Sequence, residues 1–240
     1  MKAFSIALVA LTTLGTVAIS HAQTADEIIA KHITAIGGKE KLAQINSIYQ
    51  ENTIEVMGNE ASSTTIIVNG KGFKNEVDFG GQKIVQCITD KGGWSINPMM
   101  GQTAAEPMTE EQFNYGKEQL DIGGPLLNYA SKGNKVEFVG KEDVNGVSAL
   151  KIKVTTKANV ESTYFFDPAT YYVIRNVAKA SMGGQQMETT INYSDYKKTD
   201  FGFVLPYSTE MNLPQGFTIK STTKKVEINK PVDENVFKAS

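Results

Sequence analysis

The sequence contains few of the residues on which disulfide-bonded folds, metal sites and nucleic-acid interfaces depend. Its 240 residues include one cysteine, two histidines and, within 24 basic residues, a single arginine, Arg175. A lone cysteine excludes an intramolecular disulfide, so the hydrophobic core must stabilise the fold. Neither a cysteine-rich nor a histidine-rich metal site can form within one chain of this composition. Because bidentate recognition of phosphate and guanine depends on arginine, the composition also argues against a nucleic-acid partner.

The sequence motifs of common enzymes are absent as well. The chain has no G-x-S-x-G nucleophile elbow, no H-E-x-x-H zinc motif and no phosphate-binding loop. We therefore predict no catalytic residue, no cofactor and no metal site. Two hydrolase alternatives stay open: a pair of carboxylates brought together by folding, and Cys87 paired with His32. The simpler interpretation is that Cys87 is a small buried hydrophobe and that His32 packs on the apolar side of a helix.

Long apolar runs are confined to the start of the chain. The first residues, MKAFSIALVALTTLGTVAISHA, combine Lys2, an apolar run and small residues at Ser20 and Ala22. This pattern is typical of a secretory signal peptide, here cleaved between Ala22 and Gln23. The alternative, a membrane anchor, needs about 20 apolar residues, whereas this run is shorter and is interrupted by threonines and a glycine. We expect an exported, periplasmic protein with no cysteine near the cut for lipid attachment.

The mature chain opens with the pattern of an amphipathic helix. Thr24 and Glu27 have the spacing of a capping box, in which each side chain bonds the other residue's backbone amide. Gly37 and Gly38 predict the end of the helix, because glycine readily adopts the left-handed conformation. Between these signals, apolar residues recur at helical spacing, at Ile28, Ile29, Ile33 and Ile36.

After this helix the apolar residues follow a period of two, which is typical of antiparallel strands with one buried face. In FKNEVDF, Phe73, Val77 and Phe79 fall on one face and the charged residues on the other. Asn-Gly, Gly-Gly and Asp-Pro turn signals separate about ten or eleven such strands. Residues 108–131 interrupt them with helix formers. We predict a mainly β fold, an open antiparallel β-barrel (half-barrel) covered by the N-terminal helix and a short helical insert, as a single domain over residues 23–240.

The most apolar irregular stretch is GGWSINPMMGQTAAEPM, residues 92–108. Because this stretch contains Pro98 and Pro107, we predict that it forms neither a regular helix nor a central strand. We interpret this stretch as a lid over the apolar face of the sheet, together with the insert and its GGPLLNYA segment, predicted as a second short helix or lid. Methionine suits such a role because it adapts to variable partners. The alternative is that these side chains fill an ordinary barrel core. On the lid interpretation, the mouth of a lipid-binding cavity consists of Trp94, Met99, Met100, Met108, Phe113, Leu126, Leu127 and Tyr129.

The order of segments resembles the periplasmic lipoprotein-carrier family that includes LolA and LolB. YFFDPATYYVIR resembles the family's strand–turn–strand hairpin, and ETTINYSDYKKTDFGFVLPYSTEM resembles its paired strands. KVEINKPVDENVFK resembles its closing strand and tail, and DEIIAKHITAIGGKEKLAQI resembles the start of members from Bacteroidota-type bacteria. The likeness covers essentially the whole mature chain.

This resemblance implies a carrier, not a catalyst, with an apolar cavity for the acyl chains of a lipoprotein or related lipid. It implies transfer from an inner-membrane releasing complex to an outer-membrane acceptor, and we expect a monomer. The missing lipid-attachment cysteine favours the soluble LolA type. The well-studied carriers use a strand arginine to hold the lid closed, a role that the resemblance does not assign to Arg175 in its later hairpin. An envelope-sensing or protein-interaction module with the same fold stays an alternative.

Overall fold

The computed structural model describes residues 23–182, 185–213 and 216–239. The predicted signal peptide and its cleavage site therefore lie outside the described residues. Within the described ranges, no helix is both long and apolar enough to cross a membrane.

Helix α1, Ala25–Ala35, begins at the predicted capping box. Thr24 Oγ1 accepts a hydrogen bond from the Glu27 amide, and the Glu27 carboxylate accepts one from the Thr24 amide, each at 3.2 Å. The helix ends where predicted, because Gly37 and Gly38 both adopt positive φ. A second short helix, α2, Lys39–Leu42, follows at once.

The rest of the described chain consists mostly of strands. Their bounds are β1 Ser47–Val56, β2 Asn59–Val68, β3 Gly72–Phe79, β4 Gln82–Thr89, β5 Gly93–Ile96, β6 Glu106–Pro107, β7 Lys135–Val144, β8 Val147–Thr155, β9 Glu161–Phe166, β10 Val173–Met182, β11 Gln185–Lys198, β12 Val204–Asn212 and β13 Thr218–Ile228. They form one antiparallel sheet in the order β6-β5-β4-β3-β2-β1-β13-β12-β11-β10-β9-β8-β7. The sheet is not closed, since β6 and β7 are its two edges. The predicted open half-barrel is confirmed.

The strands β5 and β6 were not predicted, because both lie in the stretch 92–108. β5 pairs with β4 on one side and with β6 on the other. The prediction of no strand inside the sheet was therefore wrong for Gly93–Ile96. The prolines do not prevent this arrangement: Pro98 follows β5, and Pro107 lies on the edge strand, where proline is tolerated. Pro98 itself begins a 3-10 turn, Pro98–Met100.

The predicted helical insert is present but shorter than expected. Helix α3, Glu110–Gly116, starts at a second capping box formed by Thr109 and Gln112. A 3-10 turn, Lys117–Leu120, continues it. For the segment GGPLLNYA we predicted a second short helix or a lid; it forms turns, so the helix is absent. Gly124 and Asn128 adopt positive φ there, which is incompatible with a right-handed helix.

The helices and the insert cover one face of the sheet, which we call the inner face. Ile28 and Ile29 of α1 pack with Leu126 against buried residues of β8 and β9. Leu127 packs with α2 and with Ile48 of β1, and Phe113 and Leu120 pack against β3 and β4. Most of the core therefore lies between one end of the inner face and a layer of short helices and turns. A smaller cluster, Val144, Ala149 and Phe165, lies on the other face.

Candidate functional site

An open groove of about 750 Å³ lies between α1 and the turns that follow α3, residues 122–133, which we call the turn segment. Its apolar lining comes from two distant parts of the chain, Ile29, Ala30 and Ile33 on α1 and Leu126, Leu127 and Ala130 on the turns. Leu126 and Leu127 are adjacent in sequence but belong to different core clusters, one under α1 and one under α2. The apolar floor of the groove is thus formed by side chains that also belong to the hydrophobic core.

Polar residues surround this apolar floor. Asp26, Lys39 and Glu40 contribute charges of both signs to the lining of the groove. The Tyr129 hydroxyl donates a hydrogen bond to the Asp26 carboxylate, which connects the turn segment directly to α1. This hydrogen bond is the main cause of a raised pKa of Tyr129. An apolar floor with a charged rim is the arrangement expected for a flexible apolar ligand that keeps a polar end in water.

The turn segment is held in place by polar contacts at its far end. The Lys132 ammonium forms an ion pair with Asp121 and donates to the Gly124 carbonyl oxygen at 2.6 Å. The Asn134 amide donates to the Pro125 carbonyl oxygen at 3.0 Å. These bonds replace the helical hydrogen bonds that the segment lacks. A wall made of turns has fewer cooperative backbone bonds than a helix, so it can open at lower cost.

Three of the predicted lipid-binding residues, Leu126, Leu127 and Tyr129, line this groove. Met108 and Phe113 lie apart from them, beside Phe73, Ile88 and Leu120 on the inner face. Phe113 also lines a separate hollow of about 430 Å³ between α3 and the β2–β3 and β4–β5 turns. The structure therefore divides the predicted mouth into more than one location.

The predicted lipid-binding residues Trp94, Met99 and Met100, from the stretch 92–108, lie neither in the groove nor beside Phe113. Met99 and Met100 lie in the loop between β5 and β6, with relative exposures of 64% and 80%. Trp94 is paired with Cys87 and faces away from the inner face. Its indole Nε1 donates to the Phe237 carbonyl oxygen at 2.9 Å. Trp94 thus anchors the C-terminal segment on the outer face and is not placed with Leu126 or Tyr129.

His32 is a packed helix residue, as the sequence predicted. Its side chain is 7% exposed, and Nδ1 donates to the Tyr171 carbonyl oxygen at 2.9 Å. The ring packs edge-on against Phe166, with ring centroids 5.2 Å apart. Burial lowers the pKa of His32, and the bond to Tyr171 opposes this only in part. His32 is therefore a neutral hydrogen-bond donor between α1 and the β9–β10 turn.

Cys87 is likewise a buried residue, as predicted. It is fully buried, and its Sγ lies 3.3 Å from the Phe237 carbonyl oxygen. Burial raises the pKa of the Cys87 thiol to about 11, so the reactive thiolate is disfavoured. Cys87 faces the outer side of β4, whereas His32 packs on the inner face. This placement argues against the Cys87–His32 hydrolase alternative.

A feature that sequence analysis missed lies on the inner face beyond the helices. Cross-strand neighbours on five consecutive strands are all uncharged and polar: Gln50, Thr65, Asn75, Gln86 and Ser95. Several of them line a hollow of about 320 Å³, whose lining is Gln50, Asn52, Ile54, Ser63, Thr65, Asn75, Leu205, Pro206, Thr209, Ser221 and Thr223. We call this the polar hollow. Strand alternation could have placed each of these residues on the inner face, but only the register of the strands brings them side by side.

Tyrosines extend the uncharged character of the inner face towards the other edge of the sheet. Tyr193 is paired with Thr209 of the polar hollow. Burial raises the pKa of Tyr193 to about 12, and burial also raises the pKa of Tyr164. Both phenols are neutral at physiological pH. Within the described ranges, no group of three or more His, Cys, Asp or Glu side chains could hold a metal ion.

The chain is similar to known proteins in structure but not in sequence. No protein-family model matches the chain, and no curated protein matches its sequence. A solved DUF1329 family protein from Desulfovibrio piger is similar over 90% of this chain and 98% of its own, with a TM-score of 0.59 and 12% identity. A LolA superfamily protein from Nitrosomonas europaea is similar over 90% of this chain and 98% of its own, with a TM-score of 0.58 and 9% identity.

A third solved structure is described as an outer membrane lipoprotein-sorting protein domain, from Vibrio parahaemolyticus. It is similar over 88% of this chain and 94% of its own, with a TM-score of 0.56 and 14% identity. These likenesses extend over nearly the whole of each chain. The chain has a LolA-like fold. At such low identity the likeness concerns the fold alone.

Proposed function

We propose that this LolA-like protein is a periplasmic carrier that binds the acyl chain of a lipoprotein or related lipid for transfer towards the outer membrane. The observation that carries the proposal is the groove of about 750 Å³ between α1 and residues 126–131, with an apolar floor and a charged rim. A carrier of this kind performs no chemistry.

The energetics of an acyl chain suit a groove of this type. Each methylene group removed from water contributes about 0.8 kcal/mol, so burial of even half of a long chain contributes several kcal/mol. The polar rim leaves the carboxyl-derived end of the chain in solvent. Because the groove is open to solvent, release needs no global unfolding. Binding that is favourable and still reversible is what a carrier requires.

The groove has one rigid wall and one adaptable wall. α1 is fixed by its core contacts at Ile28 and by the His32–Tyr171 hydrogen bond. The turn segment is fixed mainly by Leu126, Leu127 and the Tyr129–Asp26 bond. We propose that entry and release of the acyl chain proceed by movement of the turn segment. Arg175 does not take part, since its Nε donates to Asn192 Oδ1 within the sheet at 2.8 Å.

We propose separate roles for the other predicted lipid-binding residues. Met108 and Phe113 continue the apolar surface beneath α3, and we propose that they contact longer chains. Met99 and Met100 are exposed, flexible side chains suited to a transient contact with an acyl chain or with a membrane-bound donor or acceptor complex. Trp94 is omitted, because its indole is engaged with Phe237 on the outer face.

The test is to fill the groove without disturbing the core. Ala30 and Ala130 are exposed and line opposite walls, so Ala30→Trp and Ala130→Trp add bulk where a ligand would lie. We expect each variant to weaken binding of a fluorescent fatty-acid probe at least about tenfold. Ala43→Trp is the matched control, because Ala43 is also exposed but lies after α2, outside the groove.

Folding of all three variants is checked by circular dichroism and thermal unfolding. Equal probe affinity in Ala30→Trp, Ala130→Trp and the Ala43→Trp control would place the acyl chain elsewhere. An absence of saturable binding in the unmodified protein would remove the carrier proposal altogether.

A further inference from the structure

We infer that the polar hollow is a second binding site, for the uncharged polar group of an amphiphile, such as a glyceride with hydroxyl and ester groups. This inference goes beyond the acyl-chain groove, because the hollow lies on β1–β3, β12 and β13 and shares no lining residue with that groove.

Every charged residue of β1–β4 lies on the outer face of the sheet. The strand register shows this, because each charged residue is paired with another outward-facing residue. The charged residues are Glu51, Glu55, Glu60, Lys74, Glu76, Asp78 and Lys83. Glu76 forms ion pairs with Lys83 at 2.6 Å and with Lys74 at 3.6 Å on that face. The inner face of the same strands carries no charge, and all residues lining the hollow are uncharged.

The lining of the hollow is nevertheless rich in hydrogen-bonding groups. The Asn75 amide donates to Thr65 Oγ1 at 2.9 Å and to Ser63 Oγ at 3.1 Å. The Thr223 hydroxyl donates to Asn52 Oδ1 at 2.9 Å. These bonds fix the orientation of the side chains before any ligand arrives. Each hydroxyl and amide retains further donor or acceptor capacity, since a hydroxyl has two lone pairs and an amide has two donors and two lone pairs.

This lining discriminates between ligand classes by charge. A carboxylate or phosphate placed in the hollow would give up part of its hydration without gaining a cation, which is unfavourable. An ester, hydroxyl or amide group would exchange its hydrogen bonds with water for bonds to Thr65, Asn75 and Asn52. A site built from uncharged donors and acceptors therefore favours a neutral polar ligand.

Apolar residues next to the hollow supply room for a short chain. Ile54 lines the hollow itself. Val77 is paired with Ser63 and with Ile84, so these two apolar side chains form the next positions along the inner face. The juxtaposition of polar lining and apolar flank fits an amphiphile better than a sugar or a peptide. A volume of about 320 Å³ accommodates a small head group and not a whole lipid.

The experiment compares two soluble amphiphiles with the same chain length, monooctanoylglycerol and octanoate, by NMR titration at pH 7.5. Shifts of backbone amides at β1–β3 report the hollow, and shifts at α1 and residues 126–131 report the groove. We expect monooctanoylglycerol to shift the hollow signals saturably and octanoate to bind there at least about tenfold more weakly.

Substitutions on β2 test whether the hollow itself creates this preference. Thr65→Val removes the hydroxyl but keeps the shape and strand preference of the side chain, and we expect the preference for the glyceride to fall to about threefold or less. Thr65→Ser restores the hydroxyl and should restore the preference. Thr64→Val is the matched control, because Thr64 is the adjacent residue on the outer face, paired with Glu51 and Glu76.

The outcomes separate this inference from the carrier proposal. Shifts confined to the groove, or equal binding of both amphiphiles in the hollow, would overturn the inference and leave the carrier proposal standing. Shifts confined to the hollow would support the inference and contradict the groove as the acyl site. A preference that Thr65→Val leaves unchanged would also overturn the inference.

Discussion

The acyl-chain groove and the polar hollow lie on the same side of one sheet but are built in opposite ways. The groove has an apolar floor and a charged rim, whereas the hollow has a polar lining and no charge. The floor of the groove is formed by core residues of α1 and the turn segment. The lining of the hollow is formed by strand residues with no helix above them. The difference shows that a half-barrel can offer two chemically distinct surfaces, set by which end its helices cover.

The largest expected effect comes from the residues that serve both as groove floor and as core. Leu127 is 8% exposed and packs with Leu42, Ile45 and Ile48. We predict that Leu127→Ala lowers the free energy of unfolding by about 2–4 kcal/mol, because it removes buried methyl groups and leaves a cavity. Urea denaturation measures this change directly.

The same measurement on the hollow sharpens the comparison. Thr65→Val removes one hydrogen bond but no buried volume, so we expect a loss of about 1 kcal/mol or less. If the two substitutions cost the same free energy, the distinction between a structural floor and a non-structural lining would be lost.

A smaller effect is expected at the hydrogen bond across the groove. Tyr129→Phe removes the bond to Asp26 while keeping the aromatic ring. Because this bond is partly solvent-exposed, we predict that release of a fluorescent fatty acid becomes about twofold to fivefold faster, with little change in the free energy of unfolding. Stopped-flow displacement measures the rate.

The control for that substitution is Tyr171→Phe. The Tyr171 hydroxyl accepts hydrogen bonds from Gln23 and from Lys31 of α1, so it also contacts α1 but does not line the groove. An equal acceleration of release in both variants would mean that the bond to Asp26 has no specific role in closing the groove.

The smallest expected effect is a dependence of stability on pH, which originates in α1 and not in the polar hollow. The pKa of His32 lies below its ordinary value of 6.5 in the folded protein because the ring is buried. Below about pH 6.5 the unfolded chain therefore binds more protons than the folded one, and stability falls as the pH falls. His32 belongs to α1, so this loss reports on the helix that forms one wall of the groove, and urea unfolding curves at pH 7.5 and 5.5 measure it.

The polar hollow contains no histidine or carboxylate in its lining, so its glyceride binding should stay constant over the same range. His32→Gln should flatten the pH dependence of unfolding relative to the unmodified protein. Unfolding curves that retain the full dependence in this variant would assign it to another group.

The sequence predicted the elements of the fold better than it predicted their assembly. α1 was located because its capping residues Thr24 and Glu27 are neighbours in sequence. The strands were located because one face is buried along each of them. β5 was missed because Pro98 made the whole stretch look irregular, although the proline lies after the strand. The segment after α3 was predicted as a short helix or lid because its apolar residues are evident in the sequence. The positive φ of Gly124 and Asn128, which excludes the helix, is not.

The candidate site was predicted only where its residues are close in sequence. Leu126, Leu127 and Tyr129 were grouped with one another in the prediction, and all three line the groove. Their partners on α1 lie about a hundred positions earlier, and no local pattern connects the two segments. Trp94 was grouped with them because it is near Met99, yet a carbonyl at the C-terminal end, that of Phe237, determines where its indole points.

The polar hollow was invisible in the sequence for a related reason. Gln50, Thr65 and Asn75 are each ordinary uncharged residues of a strand. Only the register of β1, β2 and β3 places them side by side. Register depends on pairing between distant segments, so the property that distinguishes this surface is a property of the assembled sheet.

The most direct test of the carrier account is photo-crosslinking with a diazirine-bearing palmitate, followed by mapping of the labelled residues by mass spectrometry. The account predicts saturable labelling on α1, around Ala30 and Ile33, and on residues 126–131, with competition by unlabelled palmitate. Labelling confined to the outer face of the sheet, or labelling that unlabelled palmitate does not reduce, would contradict it.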